Sequence, residues 1–266
     1  MKIGFIGLGN MGTAMIGGII KKKLVEPSDI LGSDFSGVRT DEVEKQYGIK
    51  GIASNIEVAR SVDILVTSVK PQVYETVIDE IKDFIRDETV IVSIAPGKTI
   101  DWLTSHYERG DVIKLVRCMP NTPALVGEGC TGVCRNANVT DAEFEKVLTI
   151  LNSFGKAYEV SENQMDAVVA VSGSSPAYVF MLIEAMADGA VAEGLPRKTA
   201  YNMAAQAVLG SAKMVLETGR HPGDLKDMVC SPGGTTIDAV AVLENMNFRS
   251  SIIEAERTCA DKSRSL

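Results

Sequence analysis

"KIGFIGLGNMG", residues 2–12, decides how the rest of the chain is read. Its first half, "KIGFIG", runs apolar residues together without alternation, which suits a strand covered on both faces. Its second half spaces Gly7, Gly9 and Gly12 as G-x-G-x-x-G, and "MGTAMIGGIIKKKL", residues 11–24, continues with the i, i+3, i+4 spacing of a helix lying on a sheet. Such glycines permit a tight turn, let a pyrophosphate approach the backbone, and bring helix close to strand. Without the strand before and the helix after, the spacing would carry little. In this setting it points to a bound dinucleotide.

Outward from that motif, "DILGS" (29–33), "DILVTSV" (63–69), "TVIVSI" (89–94) and "VIKLVRC" (112–118) read as further buried parallel strands. "PQVYETVIDEIKDFI" (71–85) is a helix between two of them, and "TDAEFEKVLTILNSFG" (140–155) opens on capping residues and reaches a glycine suited to stopping a helix. The pattern predicts an α/β N-terminal domain over 1–160, a Rossmann-type doubly wound parallel sheet. From 161 to 266 the strands vanish. Segments such as "PAYVFMLIEAMADGAVAEG" (176–194) and "RKTAYNMAAQAVLGSAKMVLETG" (197–219) are Ala- and Met-rich with weak polar faces. Helices apolar nearly all round must be covered on several sides, so an all-helical domain over 161–266 that forms a homodimer is expected.

Asp34 follows the second strand about 20 residues beyond the last glycine, where an acid can accept from the adenine ribose hydroxyls and repel a 2′-phosphate. Ser33, Ser36 and Arg39 in "SDFSGVR" can instead hold such a phosphate, and Arg39 can equally be a solvated helix residue. The residues leave the choice between NADH and NADPH open. Ligands of parallel sheets bind beyond the carboxyl ends of the strands, which places "SVKP" (68–71), "IAPGKT" (94–99) and "MPNTPALVGEG" (119–129) beside the nicotinamide half. Lys70 there is either a proton donor or anion contact, or structural.

The net charge of −8 argues against a sequence-independent hold on nucleic acid, and 45% apolar with 23% charged residues is ordinary for a globular protein. "KKK" at 21–23 reads as the solvated end of a helix. No leader with a cleavage site is expected, and the apolar runs look broken well short of the ~20 residues of a membrane span, so a cytoplasmic protein with no membrane contact is expected. Five cysteines suit reduced, buried thiols. Cys130 and Cys134 are spaced like metal ligands, but with His106 and His221 the sole histidines, no metal site is expected.

Late in the chain, "SPGGTTID" (231–238) places Gly233 and Gly234 before a helix. From spacing alone it is either a structural helix start or a second anion site. Ser172, Ser174 and Ser175 before Pro176 raise the same alternative, and His221 before a proline reads as an exposed cap.

In order along nearly the whole chain, "IGFIGLGNMG", "SVKPQ", "RCMPNTPALVGEG", "SGSSPAYVF" and "LKDMVCSPGGTTIDAVAVLE" resemble the pyrroline-5-carboxylate reductases. The resemblance implies reduction of L-1-pyrroline-5-carboxylate to L-proline with NADPH or NADH, by a Rossmann domain joined to a helical dimerisation domain, with dimers assembling in some members into decamers. It implies cofactor contacts at Ile6, Gly7, Leu8, Gly9, Asn10 and Met11, at Asn55, at Ser68, Val69, Lys70 and Pro71, and at Ile94, Ala95 and Pro96. It implies a substrate site at Ser231, Gly233, Gly234, Thr235 and Thr236, with the Thr236 hydroxyl facing the ring nitrogen. Two positions depart from the family's usual pattern: Ser175 replaces a glycine, and Met228 stands where many members have an asparagine. Neither removes a group the chemistry requires. A β-hydroxyacid dehydrogenase would place a lysine in its first long helix after the sheet, and "SGSSPAYVFMLIEAMADG" has none. A non-catalytic dinucleotide sensor would not need a second anion cradle.

Overall fold

The computed structural model describes residues 1–110 and 112–265. In chain order, β1 (Ile3–Ile6), α1 (Asn10–Lys21), β2 (Ile30–Ser33), α2 (Gly37–Tyr47), β3 (Lys50–Gly51), α3 (Asn55–Ser61) and β4 (Ile64–Thr67) form one half of a sheet and its helices. Then come α4 (Tyr74–Ile81), β5 (Val90–Ser93), α5 (Ile100–Tyr107), β6 (Lys114–Met119), β7 (Gly129–Arg135), α6 (Asp141–Leu151) and β8 (Gly155–Glu159). The eight strands are ordered β3-β2-β1-β4-β5-β6-β7-β8. The order reverses at β1, whose Ile6 pairs Ser33 on one side and Thr67 on the other. That reversal opens the crevice in which doubly wound sheets hold ligands.

Period-two alternation sorts the strand side chains onto two covered faces. Ile3, Phe5, Val66, Val92 and Val116 pack with Met15, Ile16 and Ile19 of α1 and with Phe144 and Val147 of α6. Ile6, Leu65, Ile91 and Leu115 pack on the opposite face with Val58, Ile78, Leu103 and Tyr107. Both faces being apolar explains why these strands read as unbroken apolar runs.

One expectation about the sheet needs correction. β7 runs antiparallel to β6, and β8 pairs parallel to β7, so the last two strands run against the rest. "GCTGVCR" and "GKAYE" carry glycine, lysine and glutamate rather than an apolar run, and β8 is half exposed, which hid both strands. The glycine ending "TDAEFEKVLTILNSFG" does not stop α6. The helix, opened by a Thr140–Glu143 capping box, ends at Leu151 with Asn152 as its C-cap, and Gly155 opens β8 beside Gly129 instead. The Lys21–Lys23 run is the exposed end of α1. Of the five cysteines only Cys118 and Cys134 are buried; Cys130, Cys230 and Cys259 are half-exposed, and none is in a disulfide.

The helices that follow are α7 (Met165–Val168), a π turn (Val169–Ser174), α8 (Ser175–Ala192), α9 (Arg197–Thr218), α10 (Pro222–Val229), α11 (Thr235–Asn245) and α12 (Phe248–Arg264). The chain divides into two compact units, Met1–Ser174 with the tail from Cys259, and Ser175–Thr258. In the second unit α8 and α9 pack on each other, yet Phe180, Met181, Leu216 and Met246 are each more than 60% exposed. Glu162–Ala192 is a helical run of 31 residues containing an 18-residue stretch of mean hydropathy 1.4, long and apolar enough to cross a membrane, contrary to the expectation that no segment would reach that length. The charges of Glu184 and Asp188 interrupt its apolar sequence without ending the helix.

Candidate active site

At the crevice between β1 and β4 the chain leaves β1 through Gly7, whose φ of +94° only glycine adopts without strain. Gly7 N–H donates to Ser33 O at 2.8 Å, and Ser68 beyond β4 closes the other side, its N–H on Ile6 O at 2.8 Å and its hydroxyl on Gly7 O at 2.6 Å. A Cβ on Gly7 would lie 2.7 Å from Ser68 O, and one on Gly12 would lie 2.6 Å from Gly7 O. These two glycines are there because backbone meets backbone. Gly9 differs: a Cβ there would meet nothing within 4 Å. Gly9 caps α1 with no side-chain hydrogen bond, and Gly9 and Asn10 are exposed, so the first N–H groups of α1 border an open cradle suited to a pyrophosphate. Met11 packs against the core beneath.

At the end of β2 the Asp34 carboxylate is braced at both oxygens, by Leu8 N–H at 2.8 Å and Ser36 N–H at 2.9 Å. Arg39 is half-buried, and its guanidinium turns back onto the glycine loop. Its Nε donates to Leu8 O at 2.7 Å, Nη2 to Thr13 Oγ1 at 2.9 Å, and Nη1 to Glu42 Oε2 at 3.1 Å. Ser33 Oγ donates to Asn55 Oδ1, and Asn55 Nδ2 to Glu80 Oε2, both at 2.7 Å. Thr13 and Glu80 were not among the residues singled out from sequence, because each joins this cluster through a partner 25 or more positions away.

Ser68, Val69 and Pro71 are half-buried and Lys70 exposed at the turn after β4, while Ile94 and Ala95 are buried and Pro96 half-buried after β5. Between them lies Tyr74, hydrogen-bonded to Thr67; burial pushes its phenol up to about 12, so it stays neutral and packs. Burial likewise raises the Cys118 and Cys134 thiols, the latter to about 11. Among the described residues no group of three or more His, Cys, Asp or Glu is placed to hold a metal ion.

The serine-rich stretch before Pro176 is not where the helix begins. Helical backbone starts at Glu162 and passes through the π turn, so Pro176 stands inside a continuous run. Pro176 has no N–H to return to the Ser172 carbonyl four residues back. That carbonyl instead accepts from Asn121 Nδ2 at 2.9 Å, while Asn121 Oδ1 accepts from Cys130 N–H at 2.8 Å. Asn121 of "MPNTP" thereby ties the turn to β7. Ser172 Oγ returns to Val168 O and Ser174 Oγ accepts from Cys259, so these hydroxyls serve the turn itself.

In the second unit, His221 caps α10, its Nδ1 accepting from Gly223 N–H at 3.0 Å. After α10, Gly234 N–H donates to Ser231 O at 3.0 Å and Gly233 takes φ +67°. This is a tight turn that points the chain into α11. Gly234 is the N-cap and supplies no side chain, so the amides of the first turn of α11 keep their donors, with Thr235 exposed and Thr236 half-buried. A Cβ on Gly234 would lie 2.4 Å from Ser231 Oγ, and one on Gly233 would meet nothing within 4 Å. The turn presents backbone N–H groups at the positive end of an 11-residue helix, and that suits a carboxylate.

Comparison with known proteins agrees with these two halves. Residues 162–266 match the family model for pyrroline-5-carboxylate reductase dimerisation, and residues 2–97 match that for NADP oxidoreductase, coenzyme F420-dependent. The pyrroline-5-carboxylate reductase of Escherichia coli K12 is 52% identical over 100% of this chain and 98% of its own. A Plasmodium falciparum pyrroline carboxylate reductase solved with NADP bound is 35% identical, with a TM-score of 0.89 over 100% of this chain and 97% of that one. The Coxiella burnetii pyrroline-5-carboxylate reductase gives a TM-score of 0.93 at 33% identity, covering 99% and 97%.

Proposed function

This chain belongs to the pyrroline-5-carboxylate reductase family, and on that premise we propose how its residues divide the work. It is an NAD(P)H-dependent oxidoreductase that reduces the C=N bond of L-1-pyrroline-5-carboxylate to give L-proline. The observation that carries the reading is the second glycine turn: a protein that only held a dinucleotide would need the cradle at Gly7–Gly12 and not another at Ser231–Thr236.

The first unit would hold the dinucleotide through Ile6–Gly12, Ser33, Asp34, Asn55, Ser68–Pro71 and Ile94–Pro96. The open space at Gly9 and the uncapped start of α1 fit its pyrophosphate. When bound, a reduced nicotinamide supplies the hydride. In the second unit, N–H groups at Gly233, Thr235 and Thr236 bind the substrate carboxylate, the Gly234 N–H being held by Ser231 O, so no arginine is required there. The Thr236 hydroxyl orients the ring nitrogen by hydrogen bonding as the imine becomes an amine. A threonine hydroxyl is a weak acid at neutral pH, so the proton comes from solvent or from substrate already protonated. Protonation makes the imine carbon a better hydride acceptor, and the protein's contribution is chiefly orientation.

The exposed apolar side chains of α8, α9 and α11, together with the dimerisation match over 162–266, support a homodimer in which a partner subunit covers them. The same cover accounts for the apolar run at Glu162–Ala192 without a membrane, and suits a cytoplasmic enzyme. Some relatives' tendency to build dimers into larger assemblies fits the same helical surface.

The test mixes protein, L-1-pyrroline-5-carboxylate and NADH or NADPH and follows absorbance at 340 nm. Loss of absorbance with proline formed is expected; no loss with either cofactor refutes the reading.

A further inference from the structure

The sequence around the end of β2 permits either cofactor, and what decides between them is which donors remain uncommitted in the folded chain. A 2′-phosphate is a dianion that needs hydrogen-bond donors and preferably a guanidinium, whereas a ribose 2′-hydroxyl needs an acceptor. Of the groups near β2 that can donate, five are engaged on internal acceptors, while the exposed Ser36 hydroxyl accepts from Arg39 N–H and keeps its own hydrogen. Leu8 N–H and Ser36 N–H go to the two oxygens of Asp34. The Arg39 guanidinium spans Leu8 O, Thr13 Oγ1 and Glu42. Ser33 Oγ donates to Asn55, and the Asn55 amide to Glu80.

Arg39 cannot turn to a phosphate cheaply. Its Nε and Nη2 contacts hold Leu8 O and Thr13, and Thr13 Oγ1 itself donates to Leu8 O at 3.0 Å. Releasing them would loosen the loop that grips the pyrophosphate. The acceptors are on the other side of the ledger. A carboxylate can accept about four hydrogen bonds, and each Asp34 oxygen carries one from the backbone, leaving capacity for a ribose diol. Glu80, exposed beyond Asn55, adds a second negative charge to the same cluster.

We infer that Asp34, braced by Leu8 and Ser36, makes this chain select NADH over NADPH by accepting from the adenine ribose hydroxyls and repelling a 2′-phosphate. The inference rests on the dinucleotide reading above and specifies which dinucleotide. It assigns Arg39 the role of positioning the glycine loop rather than binding phosphate.

The test titrates NADH and NADPH into the protein without substrate, following nicotinamide fluorescence, for the wild type, Asp34→Ser and Asp34→Asn. Wild type should bind NADH about tenfold or more tightly than NADPH, the scale of a partly screened like-charge contact. Both variants should shrink that ratio towards one. Asp34→Asn keeps an oxygen for one of the backbone donors, so it isolates the charge if the serine variant disturbs the loop. Equal affinities in the wild type, tighter NADPH binding, or a ratio unmoved in both variants overturns the inference while leaving the reductase reading intact. Failure to turn over L-1-pyrroline-5-carboxylate while NADH still binds more tightly refutes the reductase reading and leaves this inference standing.

Discussion

Two alanine substitutions in the same glycine motif should fail in opposite ways. At Gly12, a Cβ would stand 2.6 Å from Gly7 O and 2.9 Å from Ser68 Oγ. Ordinary contact begins near 3.4 Å, so the start of α1 must withdraw from β1 by several tenths of an ångström. Overpacking of this kind costs about 1–3 kcal/mol, and the gain in helix propensity of alanine over glycine returns about 1 kcal/mol. The net loss is about 1 kcal/mol, which shifts the melting temperature of a chain of this size by about 2–4 °C. The movement also pulls on the Ser68–Gly7 hydrogen bond of 2.6 Å, and NADH affinity falls with it.

At Gly9, a Cβ meets nothing, and the residue's φ of −68° and ψ of −172° suit any side chain. Alanine is a poorer N-cap than glycine but stiffens the unfolded chain, and each effect is about 0.5–1 kcal/mol, so stability should stay within about 0.5 kcal/mol of wild type. The methyl nevertheless occupies the space that the pyrophosphate needs, so the Kd for NADH should rise by about tenfold or more. Urea denaturation paired with a fluorescence titration of NADH measures both quantities for both variants. Wild-type NADH affinity in Gly9→Ala would refute the assignment of that cradle, and unchanged stability in Gly12→Ala would refute the packing argument.

Thr236→Ala should lower turnover by at least about tenfold while moving the Kd for NADH less than about twofold, because the hydroxyl is assigned to the substrate alone; steady-state kinetics with unchanged kcat would remove it from the mechanism. The Asp63 carboxyl is held below its usual range chiefly by the Lys2 backbone N–H at 2.8 Å, against the opposing effect of burial, with Arg86 adding to the depression. A depressed folded pKa stabilises above the unfolded value and is lost as pH falls through the folded one. Asp63→Asn should therefore cost under about 1 kcal/mol at pH 7, and its deficit should vanish on acidification from about pH 5 to 3; a deficit independent of pH in urea melts would contradict the assignment. Sedimentation equilibrium at micromolar concentration should give at least a dimer, and a monomeric mass would leave the exposed Phe180, Met181 and Leu216 unexplained.

The legible parts of the molecule were those written in local periodicity. The five apolar strands between Ile3 and Met119 and the helix after Gly12 announce themselves because both sheet faces are covered. β7 and β8 did not: β7 is mostly buried but carries two glycines and no apolar run, and the half-exposed β8 at the sheet's far end needs none. Pro176 was misleading for a related reason. Proline ordinarily marks a helix start, but here the Asn121 side chain, 51 residues before Ser172 in sequence, takes the carbonyl that the missing N–H would have served.

The functional site shows the same division. Gly7, Gly9 and Gly12, the run "SPGGTTID" and the resemblance carried by five ordered motifs were sufficient to indicate a dinucleotide reductase of a small cyclic imine, because those demands fall on neighbouring residues. Whether Asp34 or Arg39 speaks for the cofactor was not decided by them. Leu8 lies 26 residues from Asp34 and 31 from Arg39, and they meet only because the fold sets β2 beside β1 and α2 against the glycine loop. A hydrogen bond committed inside the protein is unavailable to a ligand, and only the tertiary structure shows which bonds are committed.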